Sequence, residues 1–265
     1  MSREWWGGWW SAFVARWPDY GIEGALLGAF MISACASVAI VESSRSPVRR
    51  RVRSALGRRA IIGLAMGLTA VGLIYSPWGR RTGAHMNPAV TLAFLSMGKI
   101  GSAHAAGYVL GQVMGGAVGV LLARAVLGRV VESDEVRWVV TEPGRWGARP
   151  AIIAEFVMSF VLLSGVLAFA REPGLIRWTG TLAGALVAAY ITLEAPISGM
   201  SINPARTFAS AVWARSYRGW WVYALAPVAG MLAAAMLFAR LEPGHCCPTL
   251  NHAPGKCAGA MSAGR

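Results

Sequence analysis

The sequence predicts an all-α integral membrane protein with six transmembrane helices, two re-entrant half-helices and an inverted internal repeat. Three observations predict this fold class. Only 14% of the 265 residues are charged and 55% are hydrophobic, whereas a soluble domain usually has about 25% charged residues. Six apolar runs are long enough to cross a bilayer, which takes about 20 residues each. Two shorter apolar segments repeat one another at a fixed distance along the chain.

The charge balance excludes several classes of protein. The chain has 25 Lys and Arg against 12 Asp and Glu, a net charge of +13. Its low density of charge argues against disorder and against a nucleic-acid-binding domain, whose basic residues would line a soluble surface. The sequence also contains neither a Ser/His/Asp arrangement nor a phosphate-binding loop. We therefore expect a lipid-embedded protein that is not an enzyme, binds no nucleic acid and carries no cofactor.

The apolar runs define a membrane domain over residues 21–240, preceded by a tryptophan-rich segment, residues 1–20. Arginine clusters or Pro-Gly breaks separate the runs. All twelve tryptophans lie before the first run or at or beyond the ends of runs, as in the aromatic belts at membrane–water interfaces. The six predicted spans are 21–41, 60–79, 100–123, 151–170, 178–193 and 219–239.

Two further apolar segments, 87–97 and 203–214, are too short to span the membrane. Segments of this length are typical of re-entrant or interfacial pieces. Irregular backbone at membrane depth is tolerated only where it is buried in protein or lines a water-filled cavity. We therefore predict that both segments re-enter the membrane without crossing it.

The two short segments belong to an internal repeat. Residues 83–91 (GAHMNPAVT) match residues 199–207 (GMSINPART) at a constant offset of 116 residues, as from position 87 to position 203. The repeat halves are 21–125 and 151–240, with three spans in each. Because three is odd, the second half must enter the membrane from the opposite side. Inverted repeats of this kind place the functional site at the midplane, where the halves meet.

The tripeptide Asn-Pro-Ala stands at the start of both short segments. Asn is a favoured N-cap and Pro is favoured at the first helical position, so each tripeptide predicts a helix start. Inverted symmetry brings the two starts together near the bilayer centre. Each start carries about +0.5 elementary charge, which repels cations and protons, while the Asn amides bind neutral polar molecules. The residues concerned are Asn87, Pro88, Ala89, Asn203, Pro204 and Ala205.

The sequence resembles the aquaporin, or major intrinsic protein, family. The resemblance covers roughly residues 20–240 and rests on the paired Asn-Pro-Ala loops, the Gly-Ala-His before the first loop, Arg206 after the second, and Glu23 and Glu155 in spans one and four. It implies tetramers with one pore per subunit, made of six tilted helices and two half-helices. It also implies passive permeation by water and small neutral solutes. We expect a multi-pass protein of a cell membrane, the bacterial inner membrane.

The resemblance implies a selectivity filter at Met66, Ile191, Met200 and Arg206. The match of Met66 assumes a one-residue insertion in the first half. Water channels of the family typically pair a Phe with a His at this constriction, and glycerol channels use a Trp, a Gly and a Phe. This chain has neither set. We expect water to permeate, and glycerol, ammonia and a small metalloid acid remain alternatives as additional solutes.

The charged residues and the histidine near the two loops carry further expectations. The resemblance implies that Glu23 and Glu155 orient the backbone of the re-entrant loops, and that His85 bonds the backbone of its loop. A pore-facing or interfacial carboxylate is the alternative. Arg206 is expected to line the pore, the alternative being an arginine that reaches the interface.

Another class of function is open at this point, because ion- or proton-coupled secondary transporters also have inverted repeats and broken helices. Coupling needs ionisable groups at the midplane, and Glu194 before the second loop is the one further candidate. A scaffold protein with a closed pore is a third possibility.

Three features remain outside this scheme. The arginine-rich loop 45–59 is equally consistent with binding of anionic lipid headgroups and with a solvated connector. The tail 241–265 contains His and Cys, but their spacing matches no common metal site, and we expect it to be disordered and metal-free. The family orientation puts both termini in the cytoplasm, which leaves most basic residues outside and conflicts with the positive-inside rule.

Overall fold

The computed structural model describes residues 3–241, and the regular secondary structure in that range is helical, which confirms the predicted fold class. In chain order the α-helices are α1 (Arg3–Ala15), α2 (Trp17–Glu42), α3 (Pro47–Arg51), α4 (Ala55–Tyr75), α5 (Pro77–Thr82), α6 (Pro88–Ser96), α7 (Ser102–Leu127), α8 (Ala148–Arg171), α9 (Thr179–Leu193), α10 (Ala195–Ser198), α11 (Pro204–Ala214) and α12 (Trp220–Leu241). Short 3-10 turns occur between α7 and α8 and before α9.

Six helices are long and apolar enough to cross a membrane, one for each predicted span: α2, α4, α7, α8, α9 and α12. The second differs from its predicted range, 60–79, because α4 ends at Tyr75. Ser76 then caps a new helix: its hydroxyl accepts from the Gly79 N–H at 3.0 Å, and Pro77 takes the first helical position. The predicted tail covers residues 241–265, and all of it after Leu241 lies outside the described residues.

The packing of the spans repeats between the two halves. Helix α2 packs along α7, and α8 packs along α12 in the same way. The remaining spans, α4 and α9, pack against each other across the boundary between the halves. Each half-helix contacts the last span of the other half, since α6 lies against α12 and α11 against α7. The two halves are therefore interlocked around one centre.

Helices α4 and α9 approach closely at two glycines. A Cβ placed on Gly67 would lie 2.5 Å from the carbonyl oxygen of Gly184, and a Cβ on Gly184 would lie 2.5 Å from that of Gly67. Small residues at helix crossings in membranes let the backbones pack together. The reciprocal contact puts this crossing on the symmetry axis that relates the halves.

The two re-entrant loops share an unusual backbone. Gly83 and Gly199 end the short helices α5 and α10 with φ of 86° and 78°. Beyond them, non-glycine residues in equivalent positions also have positive φ, which costs energy and persists only where the surroundings fix it. These residues are Ala84 (49°), Met86 (48°), Met200 (52°) and Ile202 (49°).

Candidate functional site

The first re-entrant loop is held by a fully buried carboxylate, Glu23 on α2. The backbone N–H groups of His85 and Met86 donate to it at 3.0 and 2.6 Å. The Thr82 hydroxyl donates at 2.7 Å and the Gln112 amide at 2.8 Å. Because Glu23 accepts from two successive backbone amides, it fixes the strained stretch immediately before Asn87.

The second loop is held by Glu155 on α8, which is also fully buried. It accepts from the backbone N–H groups of Ser201 at 2.8 Å and Ile202 at 2.6 Å, and from the Ser198 hydroxyl at 2.6 Å. These donors occupy the same repeat positions as those around Glu23, since 198, 201 and 202 follow 82, 85 and 86 by 116 residues. The two carboxylates thus make equivalent contacts in the two halves.

Two tyrosines extend this symmetry. The Tyr108 hydroxyl donates to the Thr82 carbonyl at 2.9 Å, and the Tyr223 hydroxyl donates to the Ser198 carbonyl at 2.5 Å. Sequence reasoning missed this role for both tyrosines, although each stands in the last span of its half. Alignment of the two halves beyond the loops would have found the pair.

The side chain of His85 makes a different contact from the expected one. We expected it to bond the loop backbone, but its Nδ1 lies 3.1 Å from the Thr91 hydroxyl. The same hydroxyl lies 3.2 Å from the Asn87 carbonyl, to which it donates. His85 therefore reaches the backbone through Thr91.

Asn87 and Asn203 bind the opposite loops reciprocally. The Asn87 amide donates to the Ile202 carbonyl at 2.7 Å, and the Asn203 amide donates to the Met86 carbonyl at 2.7 Å. Their side-chain oxygens cap α6 and α11 by accepting from backbone N–H groups. An Asn amide has two hydrogens. One hydrogen of each amide is used between the loops, which leaves one for another molecule.

One cavity connects these features with the residues predicted to form the filter. Asn87 and Asn203 line it, and the remainder of its wall is mainly apolar. Met66, Ile191, Met200 and Arg206, which lie on four different segments of the chain, line the same cavity. His85 also lines it, whereas Glu23 and Glu155 stand behind the loops.

Arg206 is the charged residue closest along the chain to the second Asn-Pro-Ala motif. Its backbone N–H donates to the Asn203 side-chain oxygen at 3.2 Å. Its Nη1 is buried and has no hydrogen-bond partner within the described part of the chain. A second cation, Arg59 on α4, also lines the cavity, and its Nε donates to the Thr192 carbonyl at 3.0 Å.

A profile of the family described as Major intrinsic protein matches residues 23–238. The chain belongs to this family. Its relatives include Aquaporin NIP1-2 of Arabidopsis thaliana, with 33% identity over 67% of this chain, and Nodulin-26 of Glycine max, with 30% identity over 67%. Aquaporin NIP3-1 of Arabidopsis thaliana is 32% identical over 83% of this chain. The matched regions span 61%, 64% and 66% of these relatives, in that order.

The fold of this family member also matches a solved structure. The aquaglyceroporin from Plasmodium falciparum superposes with a TM-score of 0.72, covering 84% of this chain and 95% of that one. The sequence identity is 17%, so the likeness concerns the fold. The comparison confirms the aquaporin-like arrangement that the spans and the repeat predicted.

Several lining residues of this family member were not identified from the sequence. Phe30, Leu162 and Val187 contribute to the cavity wall. They lie in spans with apolar residues on every side, so hydropathy does not mark the face that borders the cavity. Arg59 carried a signal, since it ends an arginine cluster where α4 enters the membrane, but the sequence did not connect it with the pore.

Proposed function

We propose that this chain is a passive transmembrane channel for water and small uncharged solutes. The observation that carries the proposal is the meeting of two helix starts, α6 and α11, whose capping residues Asn87 and Asn203 line one cavity. Each amide has a free hydrogen for an oxygen-bearing molecule. The two positive helix ends oppose the entry of cations and protons.

We propose Met66, Ile191, Met200 and Arg206 as the selectivity filter. Three of the four side chains are apolar, so the guanidinium of Arg206 is the main polar group at this point of the pore. A neutral solute with one oxygen acceptor can bond to Arg206 while its remaining surface contacts the thioethers and Ile191. Cations are repelled by the guanidinium charge.

The family relatives support a channel without fixing its solute. The chain matches proteins named aquaporins, and its fold matches one named an aquaglyceroporin. We propose water as the first solute and keep glycerol, ammonia and a small metalloid acid as candidates. The filter of this chain follows neither of the patterns typical of water or glycerol channels.

The alternative, an ion- or proton-coupled transporter, has less support. Coupling requires a carboxylate that can bind and release an ion. Glu23 and Glu155 instead accept hydrogen bonds from two backbone amides each, and neither lines the cavity. Both carboxylates are therefore engaged in holding the loops, and Glu194, the further candidate, does not line the cavity either.

Stopped-flow measurements on proteoliposomes test the proposal. We expect purified protein to increase osmotic shrinkage above that of empty liposomes, without a proton or sodium gradient. A solute panel of water, glycerol, ammonia and boric acid identifies the additional solutes. Flux at the level of empty liposomes would contradict a channel, and flux that requires an ion gradient would favour the transporter.

We further propose a homotetramer in a cell membrane. Large apolar side chains point outward from the spans, among them Leu64 and Leu68 on α4, which are 59% and 61% exposed in the single chain. Lipid or a neighbouring subunit must cover such side chains. The expected bacterial inner membrane has no support from the relatives named above, which are plant proteins. Crosslinking in liposomes that yields no species above the monomer would contradict the tetramer.

A further inference from the structure

The hydroxyl of Ser198 lies between two carboxylates. Its Oγ is 2.6 Å from Oε1 of Glu155 and 2.9 Å from Oε2 of Glu194. It also accepts from the backbone N–H of Met200 at 3.1 Å. Ser198 and Glu155 belong to the contacts that hold the second re-entrant loop, and Glu194 is an additional carboxyl group beside them.

The number of hydrogens at this site is too small for two ionised carboxylates. A serine hydroxyl has one hydrogen and can donate to one oxygen only. If Glu155 and Glu194 were both ionised, one of the two short oxygen–oxygen contacts would have no hydrogen between its atoms. Protonation of one of the carboxyl groups would supply the missing hydrogen.

The contacts of the two groups decide which one carries the proton. Glu155 accepts from two backbone amides, which stabilise a carboxylate. Glu194 contacts only Ser198, through its hydroxyl and its backbone N–H, its Oε1 is buried without a partner, and none of the salt bridges among the described residues includes it. A neutral carboxyl group is far less costly in such surroundings than an unpaired charge.

We propose that Glu194 is a positioning residue whose carboxyl proton holds the second re-entrant loop, through Ser198 and Glu155, in the conducting arrangement. Protonated Glu194 donates to Ser198, and Ser198 donates to Glu155. Loss of the proton removes one of these bonds and leaves two negatively charged carboxylates facing the same hydroxyl. The loop that carries Met200 and leads to Arg206 then loses its fixed position. The permeability readout of this inference rests on the proposed channel function.

The first half of the chain provides an internal comparison. Trp78 occupies the position equivalent to Glu194, since 194 follows 78 by 116 residues. The Thr82 hydroxyl there contacts one carboxylate, that of Glu23 at 2.7 Å, and the Trp78 carbonyl at 3.4 Å. The first loop thus needs no additional proton. Sensitivity to pH is expected in the second loop.

The surroundings of Glu194 favour its neutral form. Glu194 lies outside the six spans, at the end of α9. Burial, together with the charge of Glu155, raises its pKa to about 8, against the opposing hydrogen bonds from the hydroxyl and the backbone N–H of Ser198. The titratable or charged groups on the elements around this site are Glu155 on α8, Tyr223 on α12, Arg206 on α11, Arg59 on α4 and Glu142 in the loop before α8.

The inference is tested by measuring the water permeability of the full chain in proteoliposomes with equal pH on both sides. The pH is varied from about 5.5 to about 9.5, because this range includes the pKa of a carboxyl group that is raised by burial. We expect the wild-type permeability to fall several-fold as the pH rises. Glu194→Gln keeps the low-pH value throughout, because its neutral amide still donates to Ser198. Glu172→Gln, at an exposed carboxylate after α8, is the matched control and follows the wild type.

A second readout does not depend on permeability. The infrared difference spectrum between low and high pH contains the C=O band of a protonated carboxyl group, and Glu194→Gln removes that band. A pH-independent wild type, a Glu194→Gln variant that titrates like the wild type, or a missing band overturns the inference. Absence of permeability at every pH contradicts the proposed channel instead, and the band then still decides the state of Glu194.

Discussion

The carboxylates of Glu23 and Glu155 are buried in the interior of the protein, where hydrogen bonds from backbone amides stabilise them. Each accepts from two successive N–H groups of a strained loop and from one hydroxyl. Neither takes part in a salt bridge among the described residues. Hydrogen bonds to a charged group are stronger than those to a neutral one, which offsets the cost of the loop conformation.

Replacing Glu23 with Gln tests this balance. Glutamine has one side-chain oxygen, so one of the amides of His85 and Met86 loses its acceptor and faces an NH₂ group. We expect a loss of about 1–3 kcal/mol in the free energy of unfolding. Denaturant unfolding in detergent measures it. Glu132→Gln, at an exposed pair with Arg124, is the control and should change stability by less than about 0.5 kcal/mol. Equal effects of the two substitutions would contradict the role of Glu23.

Arg206 is the residue on which the proposed selectivity depends most. Arg206→Val removes the charge and the hydrogen-bond donors from a wall that is otherwise apolar, and it leaves the same residue type as Val90 at the equivalent position of the first half. We expect larger solutes or cations to pass several-fold faster than in the wild type. Solute flux and conductance in planar bilayers measure the change. An unchanged permeability profile, with Arg129→Gln on an exposed turn as the control, would argue against a filter role.

At the scale of the elements, the sequence predicted where helices start better than it predicted which helices pack against each other. Asn-Pro identifies the first residues of α6 and α11 because capping and the fixed φ of proline act within a few residues. The predicted end of the second span, residue 79, was wrong, because Ser76-Pro77 begins α5 inside a continuous apolar run. Helix pairing depends on contacts between distant segments, and hydropathy carries little information about them.

The crossing of α4 and α9 offers a test at this scale. Gly67→Ala places a methyl group against the Gly184 carbonyl and should destabilise the protein by about 1–3 kcal/mol. Gly72→Ala on the same helix has open space and should be neutral or stabilising. Thermal unfolding, monitored by size-exclusion chromatography, compares the stability of the two variants. Equal midpoints for the two variants would show that the close contact is not required.

At the scale of the whole molecule, six spans put both ends of the membrane domain on the same side and the loop between α2 and α4 on the other. The arginine-rich loop is ordered by its own contacts. Arg58 pairs with Glu42 at 2.9 Å, and the Ser46 hydroxyl caps α3. Arg45, Arg50, Arg51 and Arg53 remain exposed.

Labelling at Ser54 determines the orientation. A Cys at this exposed position should react with a membrane-impermeant maleimide added to intact cells if the family orientation holds. The cysteines at 246, 247 and 257 provide the internal control, since they follow the last span and should react only after permeabilisation. If the tail but not position 54 is labelled in intact cells, the protein has the orientation opposite to that of the family.

The sequence alone determined the six spans, the inverted repeat, the two helix starts and the family, because apolar length, capping and repetition are properties of contiguous residues. Only the tertiary structure decided which apolar side chains border the cavity, such as Phe30 and Leu162. Lipid and the protein interior are similarly apolar, so hydropathy does not distinguish them. The reciprocal bonds of Asn87 and Asn203 and the placement of Ser198 between two carboxylates also required it, because they join residues from opposite halves or different helices.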